Sequence, residues 1–247
     1  MRSVLWTGLV LAPLLLALPS RHANECAASG CNPTLVLWAW ERPEFLDFID
    51  PRTVSVAYLD QTIYVSNRVT AVPRLDPLRV PLETRLIAVV RIEMPGGALP
   101  PSEETKEKVV AAIFRSAYQK QVSGLQIDFD AVQSQRPFYR DVLVKLRQQM
   151  PVAMSLSMTA LASWCAGDDW IKDLPVDEAV PMLFQMGRDR KLFQSFSSLR
   201  EPRCSGSLGL SLDEPWPRDH RGKRLYVFNN QKWTQNALVS VYARVMQ

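Results

Sequence analysis

Eight short apolar segments, separated by stretches of helical or turn character, are the feature that most constrains the fold of this chain. Each segment has the length of a strand, and most are rich in β-branched or aromatic residues. Eight parallel strands can close into a barrel, and a barrel of this size is one domain. We therefore predict an α/β fold, a single (β/α)8 TIM-like barrel over residues 32–247. Its expected strands are Leu35–Trp40, Val54–Leu59, Leu86–Glu93, Gly124–Asp130, Val152–Thr159, Ala179–Phe184, Ser207–Leu212 and Leu225–Asn229.

Helical patterns lie between several of these segments, but none follows the second. Ser102 is the expected N-cap of one helix, Pro137 suits the first turn of another, and the last helical stripe begins at Trp233. The stretch Asp60–Thr84 instead contains prolines at a density that excludes a helix. We predict a hairpin-like excursion there, in place of the second helix of an irregular barrel.

Residues 1–28 have the pattern of an export signal. Arg2 gives a positive start, and Val4–Leu18 is an apolar run too short to span a bilayer comfortably. The cleavage point stays open, since neither Ala23 nor Ala28 has a well-suited residue two positions earlier. We expect an exported protein, periplasmic or extracellular, with no stable membrane span after cleavage. An uncleaved anchor is the alternative.

Export changes the chemistry expected of the four cysteines. In an oxidising compartment they allow three disulfide pairings, and their unlike spacings do not resemble a zinc site. We expect a structural disulfide between Cys165 and Cys204, with Cys26 and Cys31 either paired or partly lost with the signal. We expect no metal and no cofactor.

Composition and motifs exclude several classes of function. The net charge of +4 is spread along the chain without a basic run, so no nucleic-acid partner is expected. Because His22 lies in the expected signal, a Ser-His-Asp triad or a His-rich metal site would depend on His220 alone. A nucleophilic Cys165 beside His220 is a minor alternative. The P-loop, G-x-S-x-G and G-x-G-x-x-G motifs are absent from the sequence.

The fourth predicted strand carries the best candidate chemistry. Strand residues alternate faces, so Gln126, Asp128 and Asp130 share the lumen face, with Asp130 nearest the C-terminal mouth where barrel active sites lie. Two carboxylates in a confined lumen repel each other, which raises the pKa of one of them. One protonated and one ionised carboxylate is the state that an acid catalyst needs. The alternative is a structural pairing with a lumen cation such as Arg91.

The same alternation predicts further polar and aromatic groups at the mouth. Arg91 and Glu93 end the third strand, either as a ligand-binding pair or as a structural ion pair. Ser155, Ser157 and Thr159 would line the fifth strand with hydroxyls suited to a hydrated sugar. Aromatic side chains there would stack on sugar rings, unless they pack into the core. The candidate substrate-binding residues are Trp40, Glu41, Arg91, Glu93, Gln126, Gln185, Asn229 and Trp233.

The eight residues from Ser123 resemble the fourth-strand motif of the family-eighteen chitinases and chitinase-like lectins. That motif is Asp-Gly-x-Asp-x-Asp-x-Glu, and its last Glu is the general acid. Gly124 and Asp128 match the motif, whereas Ser123 and Gln126 replace acids. Asp130 stands at the position of the general acid.

Shorter matches point in the same direction. The sixth strand, PMLFQ, resembles the Met-x-Tyr-Asp of these chitinases, with Phe184 for Tyr and Gln185 for Asp. Trp233 resembles the Trp that floors their sugar subsite. A closer resemblance, to an exported bacterial family known as a domain of unknown function, covers most of the mature chain. It implies the barrel without an activity, and its segments are VVRIE, GLQIDFDA, LSMTALASWC and LPVDEAVPMLFQMG.

Two functions follow from these resemblances. The first is a glycoside hydrolase acting on an envelope or extracellular polysaccharide, in which Asp130 is the general acid and Asp128 tunes it or stabilises the positively charged intermediate. Because Asp is one methylene shorter than Glu, the acid would be retracted, and such mispositioning can cost about a hundredfold in rate. The second is a non-catalytic, lectin-like barrel that binds carbohydrate. Envelope scaffolding without a sugar ligand is a third alternative.

Overall fold

The structure is a computed structural model that describes residues 34–97, 100–119, 122–193 and 199–246. The predicted export signal, with His22, Cys26 and Cys31, lies outside these residues. Within them, no helix is both long enough and apolar enough to cross a membrane.

Eight parallel strands close into the predicted barrel. Their hydrogen-bonded order is β1-β3-β6-β7-β8-β9-β10-β11, and β11 pairs with β1 again. The closure confirms the predicted fold class and all eight strands, with boundaries shifted by a few residues. In chain order the strands are β1 (Leu35–Ala39), β2 (Glu44–Phe45), β3 (Val54–Val65), β4 (Val69–Pro73), β5 (Leu78–Arg79), β6 (Leu86–Glu93), β7 (Gly124–Asp128), β8 (Ser155–Leu161), β9 (Glu178–Met182), β10 (Ser207–Ser211) and β11 (Arg224–Phe228).

Helices pack outside the barrel at several of the crossovers. Those in the described residues are α1 (Glu103–Gln119), α2 (Arg136–Gln149), α3 (Ala162–Gly167) and α4 (Gln235–Val245). Ser102 caps α1 as predicted, because its hydroxyl accepts a hydrogen bond from the Thr105 amide. Thr234 caps α4 by accepting from the Ala237 amide, so this helix begins after Trp233 and not at it. Short 3-10 turns occupy Gln133–Gln135, Asp169–Ile171, Gly187–Phe193 and Pro202–Cys204.

The proline-rich stretch forms the predicted excursion in place of a helix. β3 extends beyond the barrel, and the antiparallel β4 returns along it. The short β5 then pairs with β2. The Arg74 guanidinium ties the excursion to the end of β1, since it donates hydrogen bonds to the carbonyls of Trp40, Arg42 and Asp76.

Strand side chains alternate between two apolar clusters, one on each side of the barrel wall. On β7, Leu125 and Ile127 belong to the outer cluster that the helices cover, and Phe129 follows them there. Gln126 points the other way and is fully buried. The lumen cluster consists of Val36, Trp38, Ala57, Val89, Val180 and Tyr226. The alternation predicted from the sequence of this strand therefore holds up to its last residue, Asp128.

Gly209 of β10 allows the Trp38 ring to fill the lumen. A Cβ at this position would lie 2.9 Å from Met182 Sδ and 3.2 Å from Trp38 Cη2. We therefore expect Gly209→Ala to lower the free energy of unfolding by about 1–3 kcal/mol, the usual cost of overpacking a core. Gly206→Ala is the matched control, because a Cβ there meets no atom within 4 Å. Urea unfolding of both variants measures the difference, and equal midpoints would contradict it.

Candidate functional site

A cavity of about 440 Å³ opens at the carboxyl ends of the barrel strands, where the sequence predicted a site. Its wall combines side chains from most of the strands. The residues that line it are Trp38, Trp40, Val89, Arg91, Gln126, Asp128, Asp130, Thr159, Leu161, Met182, Phe184, Gln185 and Phe228.

Asp128, the last residue of β7, lies partly buried within the cavity. The Thr159 hydroxyl donates a hydrogen bond of 2.7 Å to its Oδ1, and Arg91 is its neighbour in the β6–β7 register. Burial raises the pKa of Asp128 to about 6, from an ordinary value of 3.8. The hydrogen bond from Thr159 and the charge of Arg91 oppose the rise, whereas the charges of Asp130 and Glu93 add to it. Asp128 can therefore exchange a proton near neutral pH.

Asp130 lies at the mouth, two residues beyond Asp128. The sequence placed it inside the strand, but β7 ends at Asp128, so the following loop holds Asp130. Its side chain still lines the cavity. In the described part of the chain, its carboxylate has no hydrogen-bond or ion-pair partner. Partial loss of hydration raises its pKa, the charge of Arg91 lowers it, and that of Glu93 raises it.

Arg91 pairs with Glu93 and not with either aspartate. Arg91 Nε lies 2.5 Å from Glu93 Oε1, and both side chains are about 40% exposed, at 39% and 41%. The Arg91 guanidinium also lies over the Trp40 ring, 5.8 Å from its centroid. Ion pairs this exposed contribute little to stability, because water screens them. The pair can thus rearrange around a ligand at small cost.

Four aromatic side chains, from β1, β9 and β11 or the residues that follow them, cover the side of the cavity across from Asp128 and Asp130. We call them the aromatic wall: Trp38, Trp40, Phe184 and Phe228. Phe184 and Phe228 stack with parallel rings, their centroids 5.6 Å apart. Trp38 meets Phe184 edge-on at 6.3 Å, and Trp40 meets Phe228 edge-on at the same distance. The wall is continuous because these three ring contacts link all four side chains.

Gln126 holds the deepest member of the aromatic wall in place. Its Oε1 accepts a hydrogen bond of 2.9 Å from Trp38 Nε1. Its Nε2 donates to the Ser157 hydroxyl at 3.4 Å, and that hydroxyl donates in turn to the Leu125 carbonyl. Ser157 is thus occupied within the lumen, and Ser155 binds the Ser123 carbonyl. Of the three hydroxyls predicted to line the fifth strand, Thr159 alone is in the cavity lining.

The structure does not bring Glu41, Asn229 or Trp233 into the cavity lining. Glu41 is exposed outside it. The side chain of Asn229 stabilises the turn after β11, because its Oδ1 accepts a hydrogen bond from the backbone N–H of Gln231. Trp233 is buried in the outer cluster, and its Nε1 donates to the Trp38 carbonyl at 2.8 Å. Trp233 thus packs behind the barrel wall, and Trp38 forms the base of the cavity instead.

Gln185 does line the cavity, in an unusual backbone conformation. Its φ of 56° lies in the left-handed region, which is uncommon for residues other than glycine. The backbone N–H of Gln185 donates a hydrogen bond of 2.9 Å to Glu214 Oε1. Sequence reasoning missed this role of Glu214. It also missed Phe228, although alternation from Tyr226 would have placed Phe228 on the lumen face.

The raised pKa of Asp128 makes a prediction about stability. An acid whose pKa is higher in the folded state contributes stability that is complete below about pH 4 and is lost as the pH rises through about 6. Asp128→Asn keeps an acceptor for Thr159 and removes the charge. We therefore expect this variant to be more stable than wild type at pH 7, by about 1–3 kcal/mol. At pH 4 we expect the two to be equal.

Urea unfolding of wild type and Asp128→Asn between pH 4 and pH 8 measures this difference. Glu41→Gln is the matched control, because it removes an exposed carboxylate outside the cavity. A gain in Asp128→Asn that is the same at every pH would show that the charge of Asp128 is not the cause.

The half of the barrel that carries the two carboxylates, from β6 to β9, is similar to a known protein family. No curated protein sequence matches the chain. Among solved structures, the chain is similar to the Bacillus cereus spore cortex-lytic enzyme SleL, with 15% identity and a TM-score of 0.48 over 71% of this chain and 50% of that one. It is also similar to the chitinase domain of the spore coat protein CotE from Clostridium difficile, with 12% identity and a TM-score of 0.43 over 63% and 52%. The chain thus spans about half the length of each. Residues 83–183, which include both cavity carboxylates, match the Domain of unknown function (DUF3142), in agreement with the resemblance drawn from the sequence.

Proposed function

We propose that this chain is an exported, carbohydrate-active barrel, a glycoside hydrolase that acts on an envelope or extracellular polysaccharide. One observation carries the proposal: the cavity sets two carboxylates on one side and the aromatic wall on the other. An aromatic ring packs against the apolar C–H face of a sugar, while the carboxylates can reach its ring and linkage oxygens. Export is supported by the apolar N-terminal run and by the Cys165–Cys204 disulfide, since such bonds persist in oxidising compartments.

In the proposed reaction, Asp130 donates its proton to the glycosidic oxygen as the bond between that oxygen and the sugar carbon breaks. The ionised Asp128 stabilises the positive charge that develops on the sugar ring. Water then adds to the sugar carbon, and its proton returns to Asp130. Burial raises the pKa of both acids. Near pH 6 Asp128 is therefore about half protonated, and it shares this proton with Asp130 as other coupled carboxylates do.

Four further residues position the sugar in this proposal. The Arg91 guanidinium and the side-chain amide of Gln185 line the cavity and offer donors to sugar hydroxyls. Glu93 acts through Arg91, which it holds by the ion pair. Trp38 takes the place at the base of the cavity that the sequence assigned to Trp233.

A non-catalytic, lectin-like function is the second candidate, and a specific observation favours it. Among the described residues, the aromatic wall side of the cavity lining contains no carboxylate. In the usual hydrolysis by two carboxylates, the two acids flank the scissile bond, whereas Asp128 ends β7 and Asp130 follows it in the next loop. A barrel that binds sugar through stacking and hydrogen bonds alone fits this one-sided arrangement.

A glycan array on the wild-type chain, followed by a reducing-end assay on the sugars that bind, separates these functions. Release of reducing ends supports the hydrolase. Binding without release supports the lectin-like function, and no binding to any glycan contradicts both.

A further inference from the structure

We propose that the sugar taken by this cavity carries a free ammonium group, so that the ligand is a cationic amino sugar within a polysaccharide. This inference rests on the proposed binding of a polysaccharide, which the hydrolase and the lectin-like function share, and it specifies the chemical class of the ligand. It concerns the ionised state of Asp130, whereas the proton transfer proposed above concerns the protonated state. Three properties of the cavity support it: its charge, the free acceptors of Asp130, and the aromatic wall.

The cavity has more negative than positive charge. Its lining contains the carboxylates of Asp128 and Asp130 and the guanidinium of Arg91. The charge of Arg91 is balanced by Glu93 at 2.5 Å. Because Arg91 also interacts electrostatically with Asp128 and Asp130, one cation serves three carboxylates among the described residues, and an excess of negative charge remains. A cationic ligand would supply the missing charge, whereas an acidic sugar would be repelled.

The geometry of Asp130 fits an ammonium donor. Its carboxylate lies at the mouth and has no partner in the described ranges, so both oxygens can accept hydrogen bonds. An ammonium group has three donors, and its bonds to a carboxylate are among the strongest in proteins because both groups are charged. Asp128, one pleat deeper, has one oxygen engaged by Thr159 and retains the other for the ligand.

The aromatic wall accepts both parts of an amino sugar. The face of a Trp or Phe ring attracts cations, as the position of Arg91 over Trp40 illustrates. The same rings pack against the apolar face of a sugar. A neutral sugar would use only the second property, and a simple cation would use only the first.

Calorimetry with the intact chain tests this inference. The probes are glucosamine oligomers, N-acetylglucosamine oligomers of the same length, and spermidine as a cation that is not a sugar. We expect glucosamine oligomers to bind at least about tenfold more tightly than the acetylated oligomers, from one charged hydrogen bond. We also expect this preference to weaken as salt is added.

Two variants locate the preference. Asp130→Asn should reduce the preference for the free amine to less than about threefold, because the charged hydrogen bond is lost. Glu41→Gln removes the same charge from the exposed mouth outside the lining and should keep the preference. Circular dichroism on each variant confirms that it is folded before binding is measured.

The outcomes separate this inference from the proposed function. Equal or tighter binding of the acetylated oligomers overturns the inference and leaves the carbohydrate function standing. Equal binding of spermidine and glucosamine oligomers shows that charge alone is recognised, which overturns it as well. If no sugar of any kind binds, the proposed function fails together with the inference.

Discussion

Asp130→Asn is expected to abolish hydrolysis of any polysaccharide that the wild-type chain cleaves, while the melting temperature does not fall. Loss of a general acid lowers the rate by about 100- to 10,000-fold. Stability is not lost because the Asp130 carboxylate, in the loop after β7, has no hydrogen-bond or ion-pair partner among the described residues, and its raised pKa means that the fold does not favour its charged form. Reducing-end release and thermal unfolding on the same preparation measure the two effects.

Glu41→Gln is the control for this experiment, since it changes an exposed carboxylate at the mouth without touching the cavity. It should keep both the activity and the melting temperature. If Asp130→Asn still turns over substrate, the proton donor is elsewhere, and Glu93 is the next candidate because it lies beside Arg91. If Asp130→Asn lowers the melting temperature by several degrees, the carboxylate is structural.

The barrel and the face of each strand could be predicted because they follow from local period. On β7 the order of apolar and polar residues decides which side chains contact the helices, and this order is independent of the sequence elsewhere in the chain. The outer positions of Leu125 and Ile127 and the lumen position of Gln126 therefore agree with the prediction. The excursion was equally local, since proline excludes a helix by its own geometry.

The hydrogen-bond partners of individual side chains could not be predicted, because they depend on strand register and interatomic distances that the sequence does not give. Gln126 lies opposite Ser157 in the β7–β8 register, and this register engages the Ser157 hydroxyl within the lumen. Asp130 was assigned to a strand that ends two residues earlier, and Trp233 to a helix that begins two residues later. Asp130 still lines the cavity, whereas Trp233 packs into the outer cluster, so that Trp38 and not Trp233 forms the base of the cavity.

Removal of the Cys165–Cys204 disulfide is expected to destabilise the barrel by about 4 kcal/mol, the loop-closure value for a loop of its size. The two cysteines are 39 residues apart, with Cα atoms 5.9 Å from each other, as the expected pairing requires. Both cysteines are fully buried in the outer cluster. The double variant is therefore Cys165→Ala/Cys204→Ala, because serine at either position would bury an unpaired hydroxyl.

Urea unfolding of the double variant and of wild type, each with and without reductant, isolates the effect of the bridge. Reductant should lower the midpoint of wild type and leave the double variant unchanged. Ligand binding should persist in the folded double variant, because neither cysteine lines the cavity. The Cys165 carbonyl also accepts hydrogen bonds from the amides of Arg200 and Glu201, which hold the same two segments together without the bridge. Equal midpoints for all four samples would mean that these backbone bonds suffice and that the disulfide adds no stability.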